Sequence, residues 1–281
     1  MIIRALTWNL FHGRDFPPNP ALLTCRSRLL RITESDGTYV QVNRDLEREF
    51  AAVIGAGDWN VALLQECPPR WWGSLARACD AAAHGTLTSR NSLGHLRSRF
   101  ARLNPDLIAS NEGGSNLTLA RGAEIVEQRE RVLRPGPLPE RRMMSFTRMR
   151  IDGLELAVAN LHLSAGAPRR AQAEAELLSA ARTAVEWAAG AALLVGGDLN
   201  LRPRDTDVYE RLERELGLRG RGDEGSLDHL LARDLERVAP AASLPPSARE
   251  LRVDGGTLRL SDHAPVAAAF RSAGAPPPRG E

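Results

Sequence analysis

Short apolar runs that end in polar residues recur along the chain and predict β-strands. Residues 2–8 and 61–66 have this pattern, and the period of apolar positions over 45–54 predicts a helix between them. The Pro-rich and polar segment 17–43 is predicted to be an insertion or a long loop. Strands that alternate with helices indicate an α/β protein.

A hairpin and a long helix organise the second half of the chain. Asp152 and Gly153 are a strong two-residue turn signal between two strand-like runs. A segment rich in Ala, Glu and Leu predicts a helix over 168–189. Further predicted elements are a strand over 191–195, a helix over 207–216 and strand-like runs over 226–231 and 264–270. No linker forces a boundary, so we predict one domain over 1–272 and a disordered tail over 273–281.

Charge and cysteine content narrow the functional class only slightly. The formal charge is +2 and every basic residue is Arg, so no chain-wide field attracts nucleic acid or an anionic membrane, although a local basic patch is compatible with these numbers. Cys25, Cys67 and Cys79 form neither a disulfide framework nor a CxxC metal pattern, and we expect buried thiols in a reducing compartment. We find no export signal or membrane-length apolar run, so we expect a cytoplasmic protein without stable membrane association.

Residues with catalytic potential gather where the predicted strands end. Such carboxylate, amide or imidazole side chains are those of Asn9, Glu66, His162, Asp198, Asn200, Asp262 and His263. Phosphate ester hydrolysis needs a set of this kind. Carboxylates hold a hard divalent cation, one group orients a water, and donors stabilise the charge that develops on the phosphate.

Two other chemistries use similar residues. His and Asp can hold zinc, but the thiols have no ligand spacing and the amides of Asn9 and Asn200 are poor zinc ligands. Ser261 and His263 are compatible with a Ser-His-Asp triad, but the chain has no G-x-S-x-G signal. Phosphate ester hydrolysis is therefore the favoured interpretation.

Six ordered motifs resemble those of the endonuclease/exonuclease/phosphatase superfamily, the deoxyribonuclease I-like metal-dependent phosphoesterases. They are TWNL at 7–10, LLQE at 63–66, NLHLS at 160–164, GGDLNLRP at 196–203, SLDHLL at 226–231 and SDHAPV at 261–266. The order and spacing also match, and the motifs span nearly the whole chain. The resemblance implies an α/β fold, a four-layer α/β/β/α sandwich of two packed mixed sheets with outer helices. The metal site would lie where the loops of the two sheets meet.

The resemblance also implies roles for individual residues at that site. Glu66 would be the principal Mg²⁺ ligand, with Asn9 beside it and Asp262 close enough to help hold the ion, and Mn²⁺ is the expected substitute. Asp198 would orient or deprotonate the attacking water, and Asn200 would position the scissile phosphate.

Two imidazoles and two phosphate contacts complete the implied site. His263, held in tautomer and orientation by Asp228, would hydrogen-bond a phosphate oxygen or assist proton transfer, and His162 is the second imidazole. Arg142 lies where relatives carry a phosphate-contacting arginine, although Arg141 competes for this assignment. Asn116 stands where the deoxyribonuclease branch carries a carboxylate beside its general-acid histidine. We predict that Asn116 contacts phosphate, which leaves the leaving-group acid open.

The motifs imply a reaction type and are compatible with several substrates. We favour phosphodiester cleavage in DNA by a monomeric endo- or exonuclease over a small-molecule or lipid phosphoesterase of the inositol-phosphate or sphingomyelinase type. A catalytically silent module that binds phosphorylated ligands is the hypothesis from another class. Trp59, Trp71 and Trp72 are candidates for a stacking surface, although Trp71 and Trp72 follow two prolines and are better explained as packing at a helix start. Segments 17–43 and 87–114 are the expected specificity elements.

Overall fold

The computed structural model describes residues 1–89, 94–134 and 142–272, so the predicted disordered tail and Arg141 lie outside the described residues. In chain order, the described strands and α-helices are β1 (Ile2–Asn9), α1 (Cys25–Leu30), β2 (Glu34–Ser35), β3 (Tyr39–Gln41), α2 (Glu47–Ala56), β4 (Val61–Gln65), α3 (Trp72–Ala78), β5 (Ala81–Leu87), α4 (Gly94–Leu103), α5 (Pro105–Glu112), β6 (Ser115–Arg121), β7 (Ala123–Arg134), β8 (Arg142–Ile151), β9 (Leu154–His162), α6 (Arg170–Ala188), β10 (Ala192–Asp198), α7 (Val208–Leu216), β11 (Asp228–Arg233), β12 (Leu235–Ser243), β13 (Glu250–Val253), β14 (Gly256–Arg259) and β15 (Val266–Ser272).

Two mixed sheets form the centre of the fold. One has the strand order β12-β15-β1-β4-β6-β5, and the other has the order β11-β10-β9-β8-β7. β1 runs parallel to β4, and β9 runs parallel to β10, whereas the other pairs in these sheets are antiparallel. Because parallel strands end on the same side, each parallel pair delivers two polar strand ends to one edge of its sheet.

Apolar side chains fill the space between four layers. Ile3 of β1 and Met149 of β8 belong to the cluster between the two sheets. On the outer face of the six-stranded sheet, Phe50 of α2 packs in a second cluster. On the outer face of the five-stranded sheet, Leu177 of α6 and Leu212 of α7 pack in a third. Burial of these faces produces the predicted α/β/β/α sandwich, and the prediction of the fold is confirmed.

The turn and the long helix that were predicted in the second half of the chain are both present. Asp152 and Gly153 join β8 to β9 with φ values of 44° and 79°, the left-handed geometry that a tight two-residue hairpin turn requires. The helix predicted over 168–189 is α6, which ends where Ala189 takes a φ of 50°. None of the described helices, α6 included, combines the length and apolar character that a membrane crossing requires.

The two expected specificity elements contain regular structure. Segment 17–43 holds α1, β2 and β3, and the two strands join a small sheet of order β13-β14-β3-β2. Segment 87–114 holds α4 and α5. Of the two predictions for 17–43, an insertion or a long loop, the long loop was wrong, because strands of two or three residues and short helices carry almost no periodic signal. The partner strand of β3 in the small sheet, β14, also lies far away in the chain.

Two of the three tryptophans considered as a stacking surface belong to the core, and the third, Trp72, is partly buried and donates from Nε1 to the Ser115 hydroxyl. Trp71 is fully buried and Trp59 is 3% exposed, so neither can stack on a base. Burial of the thiols is as expected for Cys67 and Cys79, but that expectation was wrong for Cys25, which is exposed at the start of α1.

Candidate active site

Strand pairing brings polar strand ends of both sheets to one edge of the sandwich. Asp198 closes β10, where it is paired with His162 at the end of β9 and with Asp228 at the start of β11. In the other sheet, Asn9 closes β1 and Glu66 directly follows β4. The Asn9 amide nitrogen donates to Asp198 Oδ2 at 3.0 Å and thereby joins the two sheets at the site.

Imidazoles and carboxylates alternate along this edge. At one end of the row, His263 Nδ1 lies 2.8 Å from Asp228 Oδ2, and His263 Nε2 lies 3.9 Å from Asp198 Oδ2. One ligand-type atom from each of these three residues lies within 4.8 Å of the other two. The hydrogen bond with Asp228 fixes the orientation of the imidazole, and its second nitrogen faces the site.

The row continues on the other side of Asp198. His162 Nε2 lies 3.5 Å from Asp198 Oδ2 and 3.8 Å from Glu66 Oε1. His12 closes the row with its Nε2 3.2 Å from Glu66 Oε2. The carboxylates beside His162 therefore come from β10 and from the loop after β4, and not from the β6 position that Asn116 occupies.

Burial and charge move the pKa values of these groups in different directions. Burial raises the pKa of Asp198, and the charge of Asp228 raises it further. Burial opposes protonation of His263, but the hydrogen bond with Asp228 and the charge of Asp198 outweigh it and raise the pKa of His263 to about 10. Burial and the charge of Arg142 lower the pKa of His162 to about 3. At neutral pH one imidazole is therefore a cation and the other is neutral.

The two amides implied to contact phosphate lie at different depths. Asn200 is half-buried, its backbone nitrogen donates to Asp198 Oδ1 at 3.2 Å, and its side chain donates to the Leu163 carbonyl. Asn116 is fully buried, and its amide nitrogen donates to backbone carbonyls of β8 and β9. Contact of either amide with phosphate stays a prediction.

Glu66, Asp262 and Asn9 offer oxygen donors of the kind that a hard cation needs. Burial would raise the pKa of Glu66, but His12, His162 and the amide of Asn9 lower it below the ordinary value, so Glu66 is ionised. Desolvation raises the pKa of Asp262, and the charge of Glu66 raises it further. Part of Asp262 is nevertheless open to solvent. A divalent cation fits here because it would relieve the repulsion between the two carboxylates.

The orientation of Asn9 limits its part in that donor set. Its Oδ1 accepts a hydrogen bond from the backbone nitrogen of Phe11 at 2.9 Å, and its amide nitrogen is directed to Asp198. Only the second lone pair of Oδ1 is therefore available to an ion. The role of Asn9 as a metal ligand stays a prediction, as do those of Glu66 and Asp262.

Backbone strain concentrates at the same edge. Five non-glycine residues here have φ between 49° and 57°, namely Phe11, His12, Glu66, Asn200 and Ser261. Each such residue costs roughly 1–2 kcal/mol. Strain of this kind persists only where surrounding contacts enforce it, and it clusters at functional sites.

Two arginines flank the row. Arg14 lies with its Cζ 3.8 Å from the ring centroid of Phe11, and its backbone oxygen accepts from Ser261, the neighbour of Asp262. Arg142 begins β8, close enough to His162 to affect its pKa. Within the described residues, the terminal guanidinium nitrogens of Arg14 and Arg142 have no hydrogen-bond partner, although the charges of Asp106, Glu66 and Asp262 act on Arg14.

Sequence reasoning missed His12 and Arg14. Both lie in the short segment that follows the TWNL motif, where an imidazole and a guanidinium stand next to a strand end that was already assigned to the site. That proximity in sequence is the signal that would have identified them.

Ser261 does not have the surroundings of a catalytic nucleophile. It is fully buried, its hydroxyl donates to the Asn9 carbonyl at 2.6 Å, and it accepts from the backbone nitrogen of His263. The imidazole of His263 faces Asp228 and Asp198 instead. The Ser-His-Asp alternative is therefore not supported.

Fold and site together define a phosphoesterase, a four-layer sandwich whose strand ends gather carboxylates, imidazoles and amides at one edge. The model of the Endonuclease/Exonuclease/phosphatase family matches residues 6–263, and the chain belongs to that family. The family's members are phosphoester hydrolases that generally use a divalent metal. A comparison with curated proteins finds no match.

Solved structures of this family share the fold at low sequence identity. The endonuclease/exonuclease/phosphatase from Bacteroides vulgatus is 14% identical, with coverage of 97% of this chain and 99% of that one and a TM-score of 0.62. The mannosyl-6-phosphatase of Bacteroides thetaiotaomicron is 14% identical, with coverage of 95% of this chain and 99% of that one and a TM-score of 0.63. The human Nocturnin catalytic domain with bound sulfate is 14% identical, with coverage of 96% of this chain and 94% of that one and a TM-score of 0.64. At this identity the likeness shows the fold alone.

Proposed function

We propose that the chain is a phosphodiesterase that depends on Mg²⁺, with Mn²⁺ as a substitute, and that it hydrolyses DNA. The observation that carries the proposal is the row of alternating imidazoles and carboxylates, with the His12–Glu66 pair at one end and the Asp228–His263 pair at the other. A bound cation would be held by Glu66, Asp262 and Asn9 and would neutralise charge on the phosphate.

The residues of the chain itself perform the proton chemistry. Asp198 accepts a proton from the attacking water, because its raised pKa makes it a better base than an ordinary carboxylate. His263 is protonated and donates a hydrogen bond from Nε2 to a phosphate oxygen. Asn200, two residues after Asp198, donates from its backbone nitrogen to Asp198 Oδ1 and positions the scissile phosphate beside the water.

A diester of DNA is favoured by the cationic groups on several sides of the row. Arg14 and Arg142 flank it. Beyond Asn200 lies a pocket of about 200 Å³ with Arg170 and Arg202 in its lining. Several separated guanidinium groups suit a polyanion, whose phosphates neighbour the scissile one, better than a substrate with a single phosphate.

A substrate panel tests the proposal. Wild type and Asp198→Asn are compared on plasmid DNA, single-stranded DNA, RNA, sphingomyelin, phosphomonoesters and bis-p-nitrophenyl phosphate, each with EDTA and with Mg²⁺ or Mn²⁺. We expect DNA cleavage that EDTA abolishes and metal restores, and a loss of about 10²–10⁴-fold in kcat for Asp198→Asn. Full activity in EDTA contradicts metal dependence, and cleavage of lipid or monoesters alone rejects the nuclease.

We also propose that the protein is cytoplasmic and acts as a monomer. Three cysteines without disulfide bonds support the location. Cell fractionation and the elution volume in size-exclusion chromatography test these two points.

A further inference from the structure

The imidazole of His12 lies against the carboxylate of Glu66. Its Nε2 lies 3.2 Å from Glu66 Oε2. Two donor atoms that each lie about 2.1–2.2 Å from one ion, at right angles to each other, are about 3.0–3.1 Å apart. The observed separation therefore suits two neighbouring ligands of one cation.

The loop that carries His12 is built to hold the imidazole there. His12 has a φ of 53°, and non-glycine residues rarely adopt this backbone conformation. Asn9 Oδ1 accepts a hydrogen bond from the backbone nitrogen of Phe11, and this bond fixes the start of the loop. After His12, a Cβ on Gly13 would lie 2.3 Å from the ring of Trp71, so only glycine lets the loop pack so closely.

A second glycine leaves room for the imidazole itself. A Cβ on Gly114 would lie 3.4 Å from His12 Cε1 and 3.1 Å from the Thr88 hydroxyl, at the lower limit of ordinary contact. The strained conformation and the close packing thus set one side chain, that of His12, against Glu66.

We propose that His12 is a direct metal ligand through Nε2 and that it tunes the site toward divalent ions that accept nitrogen, such as Mn²⁺ and Co²⁺, over Mg²⁺. Mg²⁺ prefers oxygen ligands and near-ideal octahedral geometry, whereas imidazole suits transition metals. The inference rests on the metal dependence in the proposed function, but not on the substrate.

Pulsed electron paramagnetic resonance of bound Mn²⁺ tests the inference without substrate, because a coordinated imidazole shows ¹⁴N coupling. The variant is His12→Asn, since asparagine tolerates positive φ. The matched control is His162→Asn, which removes the imidazole on the other side of Glu66. Calorimetric titration with Mn²⁺ and Mg²⁺ gives the two dissociation constants, and circular dichroism checks the fold.

We expect ¹⁴N coupling in wild type and in His162→Asn, and its loss in His12→Asn. Mn²⁺ affinity should fall about 10–100-fold in His12→Asn, while Mg²⁺ affinity changes much less. If His12→Asn does not fold, His12→Gly with added imidazole should regain the coupling. Mn²⁺ that binds wild type without ¹⁴N coupling, or coupling that survives in His12→Asn, overturns the inference alone. Absence of Mn²⁺ binding to wild type overturns the proposed metal dependence as well.

Discussion

Replacement of Asp228 by Asn tests the effect of Asp228 on the charge of His263 apart from its effect on the position of the imidazole. Asp228 Oδ2 lies 2.8 Å from His263 Nδ1, and both residues are at least partly buried. An asparagine keeps the size of the side chain and can still accept a hydrogen bond, but it removes the negative charge. The variant therefore changes the protonation of the imidazole with little change in packing.

The size of the effect follows from the pKa of His263, which is raised to about 10. Without Asp228 we expect a pKa near the ordinary 6.5, a fall of about 3.5 units or about 5 kcal/mol. At pH 8 the protonated fraction then drops about 30-fold, and poorer orientation adds about tenfold, so kcat/KM should fall about 10²–10³-fold. At pH 5.5 the imidazole is mostly protonated in both proteins, and only the orientation loss of about tenfold remains.

The acid limb of the pH–activity profile, which reports the ionisation of Asp198, should also move to lower pH in Asp228→Asn. The charge of Asp228 contributes to the raised pKa of Asp198, so its removal lowers that pKa and ionises the base at lower pH. The whole activity profile of Asp228→Asn should therefore shift toward acid. Hydrolysis of bis-p-nitrophenyl phosphate from pH 5 to 9.5 measures this, with the exposed Asp223→Asn as control. A loss of equal size at every pH would refute the role given to charge.

Two further predictions concern stability. Gly197→Ala should unfold at much lower urea concentration, by about 3 kcal/mol or more, because its φ is 135° and a Cβ would lie 1.9 Å from the Leu161 oxygen. Gly190→Ala, with a φ of 91° but no atom within 4 Å, should cost only about 1–2 kcal/mol, and equal losses would contradict the steric explanation. Burial raises the pKa of Asp15 from 3.8 to about 8, so the folded protein holds a proton that the unfolded chain releases, and the free energy of unfolding falls as pH rises between these values. Asp15→Asn should flatten this dependence in denaturant titrations at pH 5 to 8, and an unchanged slope would show that Asp15 is not the group responsible.

Local patterns predicted the parts of the fold that local physics decides. The Asp152-Gly153 turn needs only residues that tolerate positive φ, and α6 needs only helix formers. β2 and β3 were missed because strands of two and three residues depend on their pairing partners. β2 pairs with β3, and β3 pairs with β14, more than 200 residues further along the chain. Edge strand β7 was missed because its polar residues hide the alternation of half-buried and exposed positions.

The strand-end residues of the candidate site were predictable, whereas His12, Arg14 and the arrangement of the site were not. Strand-end residues such as Glu66 and Asp198 stand out in sequence because each follows an apolar run. Their distances depend on how two sheets stack, which no local pattern encodes. For that reason the neighbours of His162 were sought on β6, whereas the structure places it between Glu66 and Asp198.

The stacking of the sheets is therefore itself a catalytic requirement. Glu66 follows a strand of one sheet and Asp198 closes a strand of the other, so these two carboxylates keep their spacing only while the sheets stay in register. Buried amides below the site enforce that register. Gln65 Nε2 donates to Asn160 Oδ1 at 2.8 Å across the interface, and Asn160 Nδ2 donates back to the Leu117 carbonyl. Such groups are costly to leave unpaired in the core, so a shift of one sheet against the other is opposed by the same bonds that fix the distance between the proposed base and the proposed metal ligand.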